Sequence, residues 1–213
     1  MVAKMLFTLI LSGSAFAGDA AAGSDQHAAS QNPAIPAPQC LNFAPAGKSA
    51  ISKEDIPKGM GGLELVARLA YAETLAANCP DKNQELSEGI AAVILNRVRA
   101  FEEKGKDDAY RRVVFGKMQF ASSLHFYSKA QWKAFTCPTD QAFYRTVYTT
   151  VVQMNNGELK NRKYASATHY YLHNHFEKFQ DQPWGQEAKL VANLGENCVG
   201  VYSLDKGFLR APY

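Results

Sequence analysis

The sequence predicts a mostly α-helical single domain that finishes in short irregular or β elements near its C-terminus. Three stretches, 62–78, 83–101 and 139–155, repeat apolar residues at intervals of three and four, the spacing of one helix face. Breakers separate them: Pro80 after the first, Pro138 before the third and Gly157 after it. From residue 160 the periodicity fades, and the chain becomes rich in aromatics and histidines.

In chain order, residues 1–17 read as a signal peptide. Lys4 precedes the apolar run Met5-Leu6-Phe7-Thr8-Leu9-Ile10-Leu11, and Ala15-Phe16-Ala17 follows the small-x-small pattern of a cleavage site. The run is far shorter than the roughly 20 residues a membrane-spanning helix needs, so no stable membrane anchor is expected. No cysteine follows the small residues, which speaks against a lipid anchor. The expectation is export to the periplasm or beyond. Residues 18–50 are rich in Ala, Ser, Pro and Gln, and they read as a flexible arm that cannot bury enough apolar area to fold alone. The domain proper is then 51–213.

Cleavage after residue 17 removes one cation and leaves 22 basic residues facing 20 acidic ones. With no run of Lys and Arg, that balance argues against a nucleic-acid partner, while a mildly basic surface suits an anionic polymer. Cys40, Cys79, Cys137 and Cys198 form an even set in an exported chain, which favours two disulfides with three pairings open. Their wide single spacing lacks the paired pattern of a zinc site. Cys40 would tie the second half of the arm to the domain.

The first helix carries the most informative residue. Val66, Leu69, Ala70 and Glu73 fall at i, i+3, i+4 and i+7, with Leu63 leading the stripe, so Glu73 sits on the apolar face. A carboxylate there must find a partner or hold its proton near neutral pH, because desolvation disfavours its charged form. A proton-holding Glu in an apolar cleft is what glycoside hydrolysis needs to expel a sugar leaving group. A structural Glu paired with an Arg satisfies the same pattern, and periodicity leaves both open. In the second helix Leu86, Ile90, Val93, Ile94 and Val98 face a core, and Pro80-Asp81 allow a hairpin or a steep crossing. Residues 110–136 form a looser segment. The third helix follows Pro138 with Thr139 or Asp140 as cap and stops at Asn156-Gly157.

Four blocks in order, Leu69-Ala70-Tyr71-Ala72-Glu73, Ala91 to Val98, Gln119-Phe120-Ala121-Ser122 and Ala167-Thr168-His169-Tyr170, resemble the SleB-type cell wall hydrolases over 63 to about 184. The resemblance implies a lysozyme-like domain of the goose-type or lytic-transglycosylase kind, peptidoglycan as the partner, and no cofactor or metal. It matches Glu73 to the catalytic glutamate. It casts Gln119 and Ser122 as groups that orient a sugar or water, and Thr168 and His169 as cleft wall. Tyr170, Tyr171 and Trp184 become platforms for sugar rings, and Arg97, beside Asn96, either braces a carboxylate or caps the core.

The chain departs from the family in the Cys79-bearing connection 74–88, at Met118, and at Asn193-Leu194-Gly195-Glu196-Asn197-Cys198, where a His-aromatic ending is usual. Two rival readings stand beside the glycosidase. His169 and His173, four apart, would share a helix face and with His175 could serve a metal-dependent amidase or peptidase, although no H-E-x-x-H motif is present. A glycan-binding protein without chemistry is the other. For the glycosidase, water attack needs a second carboxylate, and Glu85, Glu88, Asp181 and Glu187 are the candidates. Attack by the muramic acid's own C6 hydroxyl needs only Glu73, and the reading leans to that anhydro-forming route.

Overall fold

A computed structural model of the chain describes residues 35, 37–41, 60–80, 84–105, 108–116, 120, 129–159, 162–173 and 187–204, all in the unit Ile35–Tyr213. The signal peptide, most of the arm, Met118, Gln119, Ser122, His175, Asp181 and Trp184 lie outside the described residues. Among the described residues five helices precede a small sheet: α1 (Gly62–Ala77), α2 (Gln84–Glu103), α3 (Ala109–Phe115), α4 (Lys129–Thr136) and α5 (Gln141–Asn155). After a turn of 3-10 helix at Arg162–Tyr164 come β1 (His169–Leu172), β2 (Lys189–Leu194) and β3 (Val199–Ser203).

The helix α1 is the centre of the fold. The N–H groups of Glu64 and Leu65 donate to the Gly61 carbonyl, and the helix ends at Asn78, whose left-handed φ of 50° suits an Asn cap. The sequence shows a stripe on this helix, but all of Leu65 to Thr74 is buried. The helix is enclosed because α2, α3, α4 and α5 all pack on it. Arg68 tolerates that enclosure only through its partners. Its Nε and Nη2 both donate to Glu64 Oε1, at 3.0 and 2.8 Å, and Nη1 donates to the carbonyls of Phe135 and Thr136. Those carbonyls end α4, where a cation is favoured by the helix dipole.

The apolar face foreseen for α2 is in place, with Leu86, Ile90, Val93, Ile94 and Val98 all buried. Gly89 on this helix leaves room for the tip of the Leu194 side chain from β2, which would have to shift for any larger residue. The segment read as loose contains two short helices, α3 and α4. Helices of 7 and 8 residues are marginal alone and exist here because they pack on α1. Asp140, not Thr139, caps α5: its side chain accepts from Phe143 N at 3.0 Å, while its own N–H donates to the Tyr71 hydroxyl. Gly157, at φ 73°, supplies the left-handed residue past the helix end.

The sheet is antiparallel in the order β1-β3-β2, with His169 opposite Tyr202, Tyr170 opposite Val201, and a bulge between Leu190 and Ala192. Two disulfides staple the unit. Cys79–Cys198 joins the end of α1 to the β2–β3 turn, and Cys40–Cys137 joins residues 37–41 to the end of α4. Leu41 N donates to the Thr136 carbonyl and Arg68 Nη2 to the Gln39 carbonyl, both at 2.8 Å, so this piece of the arm is docked. Paired disulfides are the mark of an extracytoplasmic, oxidising compartment. Among the described residues no helix is long and apolar enough to cross a membrane.

Candidate active site

Glu73 sits near the end of the buried part of α1, 6% exposed. Three other elements reach its carboxyl. Tyr170 of β1 donates its hydroxyl to Oε2. Arg97 of α2 acts on it through its charge, and Gln131 of α4 lies close enough to favour the ionised form slightly. Among the described residues no hydrogen bond of good geometry reaches Oε1. Burial outweighs these three influences and pushes the carboxyl from 4.5 up to about 7. A carboxyl in that state is divided between acid and anion near neutrality. With Oε2 accepting from Tyr170, its proton belongs on Oε1.

The elements explain how these groups meet. Strand alternation sends Tyr170 and Leu172 to the face packed on the core, and the Tyr170 ring keeps some exposure while its hydroxyl is desolvated. That burial and the neighbouring Glu73 carboxyl hold the Tyr170 hydroxyl well above its usual range, so it is a donor at any working pH. Phe120 stacks on Tyr170 with ring centroids 6.0 Å apart and planes 13° from parallel. The Arg97 guanidinium lies 4.6 Å from the Phe120 centroid, and its Nε donates to the Thr168 carbonyl at 2.6 Å. Asn96 donates to the carbonyls of Tyr164 and Ala167, both at 2.8 Å. Neighbouring residues on α2 thus hold the strand entry that delivers Tyr170.

Of the residues singled out in the sequence, Glu73, Arg97 and Tyr170 come together, with Phe120 standing for the Gln119 to Ser122 block. Thr168 contributes its backbone. Its hydroxyl accepts from Leu204 N at 3.0 Å and pairs with His169 Nδ1, also at 3.0 Å. His169 is 8% exposed, and burial, helped by the Arg97 charge, brings it down to about 3. It is a neutral ring, buried beside Arg97. Tyr171 projects from the opposite face of β1 and is not among the groups acting on Glu73.

The helical spacing read into His169 and His173 is corrected. His169 lies on a strand, where four residues span about 13 Å instead of one helical turn. His173 Nε2 pairs with Asn193 Oδ1 at 3.0 Å. Among the described residues no cluster of three metal-ligating side chains occurs. Of the candidate second carboxylates among the described residues, Glu85 pairs with Lys163 at 2.6 Å, Glu88 accepts from Gln84 Nε2, and Glu187 is exposed before β2.

Gln131 and Phe120 were not read as individual site residues. Phe120 lay in a motif but behind its polar neighbours. Gln131 is a buried amide on a short helix, a position that no periodicity over eight residues can single out. No protein-family model, curated protein or solved structure matches the chain.

Proposed function

We propose that this protein is a lysozyme-like glycosidase of the SleB type. Its substrate is the peptidoglycan glycan strand, cut at the β-1,4 bond between N-acetylmuramic acid and N-acetylglucosamine, with Glu73 as general acid. One observation carries the reading: a carboxyl enclosed by four elements, raised to about 7, with one oxygen fixed by Tyr170 and the other unpartnered among the described residues. A glycosidic oxygen is a poor leaving group unless protonated as its bond breaks, and a carboxyl poised near neutrality supplies that proton. The mostly helical architecture with a small sheet, the two disulfides and the mild basic balance all agree with an exported enzyme acting on an anionic wall.

The absence of a second carboxylate among the described groups acting on Glu73 favours the anhydro-forming route. There Glu73 gives its proton to O4 as the C1–O4 bond breaks. The muramic acid's C6 oxygen bonds to C1, and the hydroxyl proton passes to Glu73, which ends as it began. Tyr170 orients the carboxyl throughout. No cofactor enters this scheme.

The test is Glu73→Gln, which keeps shape and removes the proton. Release of soluble fragments from purified peptidoglycan should fall about a thousandfold, the scale of general acid catalysis. Wild-type release by this variant would remove Glu73 from the chemistry.

A further inference from the structure

We propose that Arg97 is a positioning residue for Glu73, supporting the carboxylate that must exist after its proton has gone to the leaving sugar. The inference deepens the glycosidase reading and rests on it. In the one-carboxylate route Glu73 works twice. It loses a proton to O4 as C1–O4 breaks, and it takes one from the C6 hydroxyl as O6–C1 forms. Between the two it is an anion in a dry site, and burial alone makes it a reluctant one.

The geometry fits a cation installed for that interval. Arg97 is 7% exposed, held on one side by the Thr168 carbonyl at 2.6 Å and on the other by the Phe120 ring at 4.6 Å. Phe120 stacks on Tyr170, and Tyr170 donates to Glu73, so cation, aromatic pair and carboxyl form one packed set. Among the described residues the charged and titratable groups around Glu73 are few. From α2 comes Arg97. From β1 comes Tyr170, a neutral donor, while His169 is kept neutral beside Arg97. From α4 comes the uncharged Gln131. On α1 itself, Arg68 is committed to Glu64 and to the Phe135, Thr136 and Gln39 carbonyls. Burial brings Arg97 down only to about 10, so it stays charged at working pH.

The experiment follows the Glu73 carboxyl directly, by carbon NMR of protein labelled at the glutamate carboxyl and assigned with Glu73→Gln, alongside the pH profile of kcat/KM on peptidoglycan. In Arg97→Met the Glu73 midpoint should rise by about one unit, as expected when a nearby opposite charge is lost. The alkaline limb of activity should move with it and kcat should fall about tenfold. Arg97→Lys should keep the midpoint near wild type and regain most of kcat. If Arg97→Met does not fold, Arg97→Gln, which retains an N–H for the Thr168 carbonyl, carries the same expectation. A rate loss with midpoint and limb unmoved would mean that Arg97 only braces β1, and would overturn the proposal. A midpoint that shifts in a wild-type background releasing no glycan fragments would sink the glycosidase reading and leave the Arg97–Glu73 pairing standing.

Discussion

Replacing Glu73 by Gln should stabilise the protein, and the gain should depend on pH in a direction fixed by the site. The folded-state value of about 7 exceeds the 4.5 of an open-chain carboxyl. Below 4.5 both folded and unfolded chains hold the proton, and burial of a neutral carboxyl carries no ionic penalty. Between 4.5 and 7 the unfolded chain sheds its proton first, so stability falls as pH rises. Above 7 the full cost is present, about 3 kcal/mol at 1.36 kcal/mol per unit. A Gln side chain cannot ionise, so that slope disappears. Its amide oxygen can accept from Tyr170, and any cost of burying its N–H groups is the same at every pH. Titration of His169 and all other groups is shared by both proteins and cancels in the difference. Urea or thermal unfolding of the disulfide-intact proteins at pH 4 and pH 8 reads the effect. The variant's advantage should grow between them by about 3 kcal/mol, on the order of 5–10 °C in Tm for a domain of this size. An advantage that is flat with pH, or that shrinks toward pH 8, would refute the claim that Glu73 is buried at the cost of its charge.

Three further outcomes follow from the same structure. His169, held near 3 against 6.5 in an open chain, contributes stability that is present above 6.5 and lost as pH falls toward 3. At pH 5 that loss is about 2 kcal/mol, and His169→Asn should flatten the acid side of a plot of Tm against pH; an unchanged slope would show that the ring titrates normally. Arg68→Met leaves the Phe135 and Gln39 carbonyls and Glu64 without this donor, with the Thr136 carbonyl keeping only Leu41 N, and should cost about 3 kcal/mol in urea unfolding, whereas a cost below 1 would mean water replaces the guanidinium. Replacing Cys79 and Cys198 together by Ala opens a link of sequence separation 119 and should lower stability by about 5 kcal/mol in the chain-entropy account; unchanged denaturant midpoints would contradict the pairing.

How far the fold could be read from the sequence depended on segment length. The helices α1, α2 and α5 are long enough for a 3.6-residue period to show, and Pro138, Asp140 and Gly157 marked ends that the structure keeps within a residue or two. The helices α3 and α4 went unread because two turns offer too few apolar positions, and their stability comes from α1. The strands are 4, 6 and 5 residues long, too brief for alternation to declare itself, which let the His169 and His173 spacing be read in helical terms. Glu73 was legible because a carboxylate amid Val66, Leu69 and Ala70 is out of place locally. Its surroundings were not, since Tyr170 lies 97 positions away and Gln131 sits on a helix that the pattern did not announce. The choice among three disulfide pairings likewise needed the fold, as both links join segments about a hundred positions apart.

The most direct measurement is mass spectrometry of the soluble products released from purified peptidoglycan by the protein, by Glu73→Gln, and by the protein treated with a chelator. The account predicts muropeptides ending in 1,6-anhydro muramic acid, unchanged by the chelator and lost in the variant. Free peptides released from intact glycan strands, and abolished by the chelator, would contradict it and move the chemistry away from Glu73.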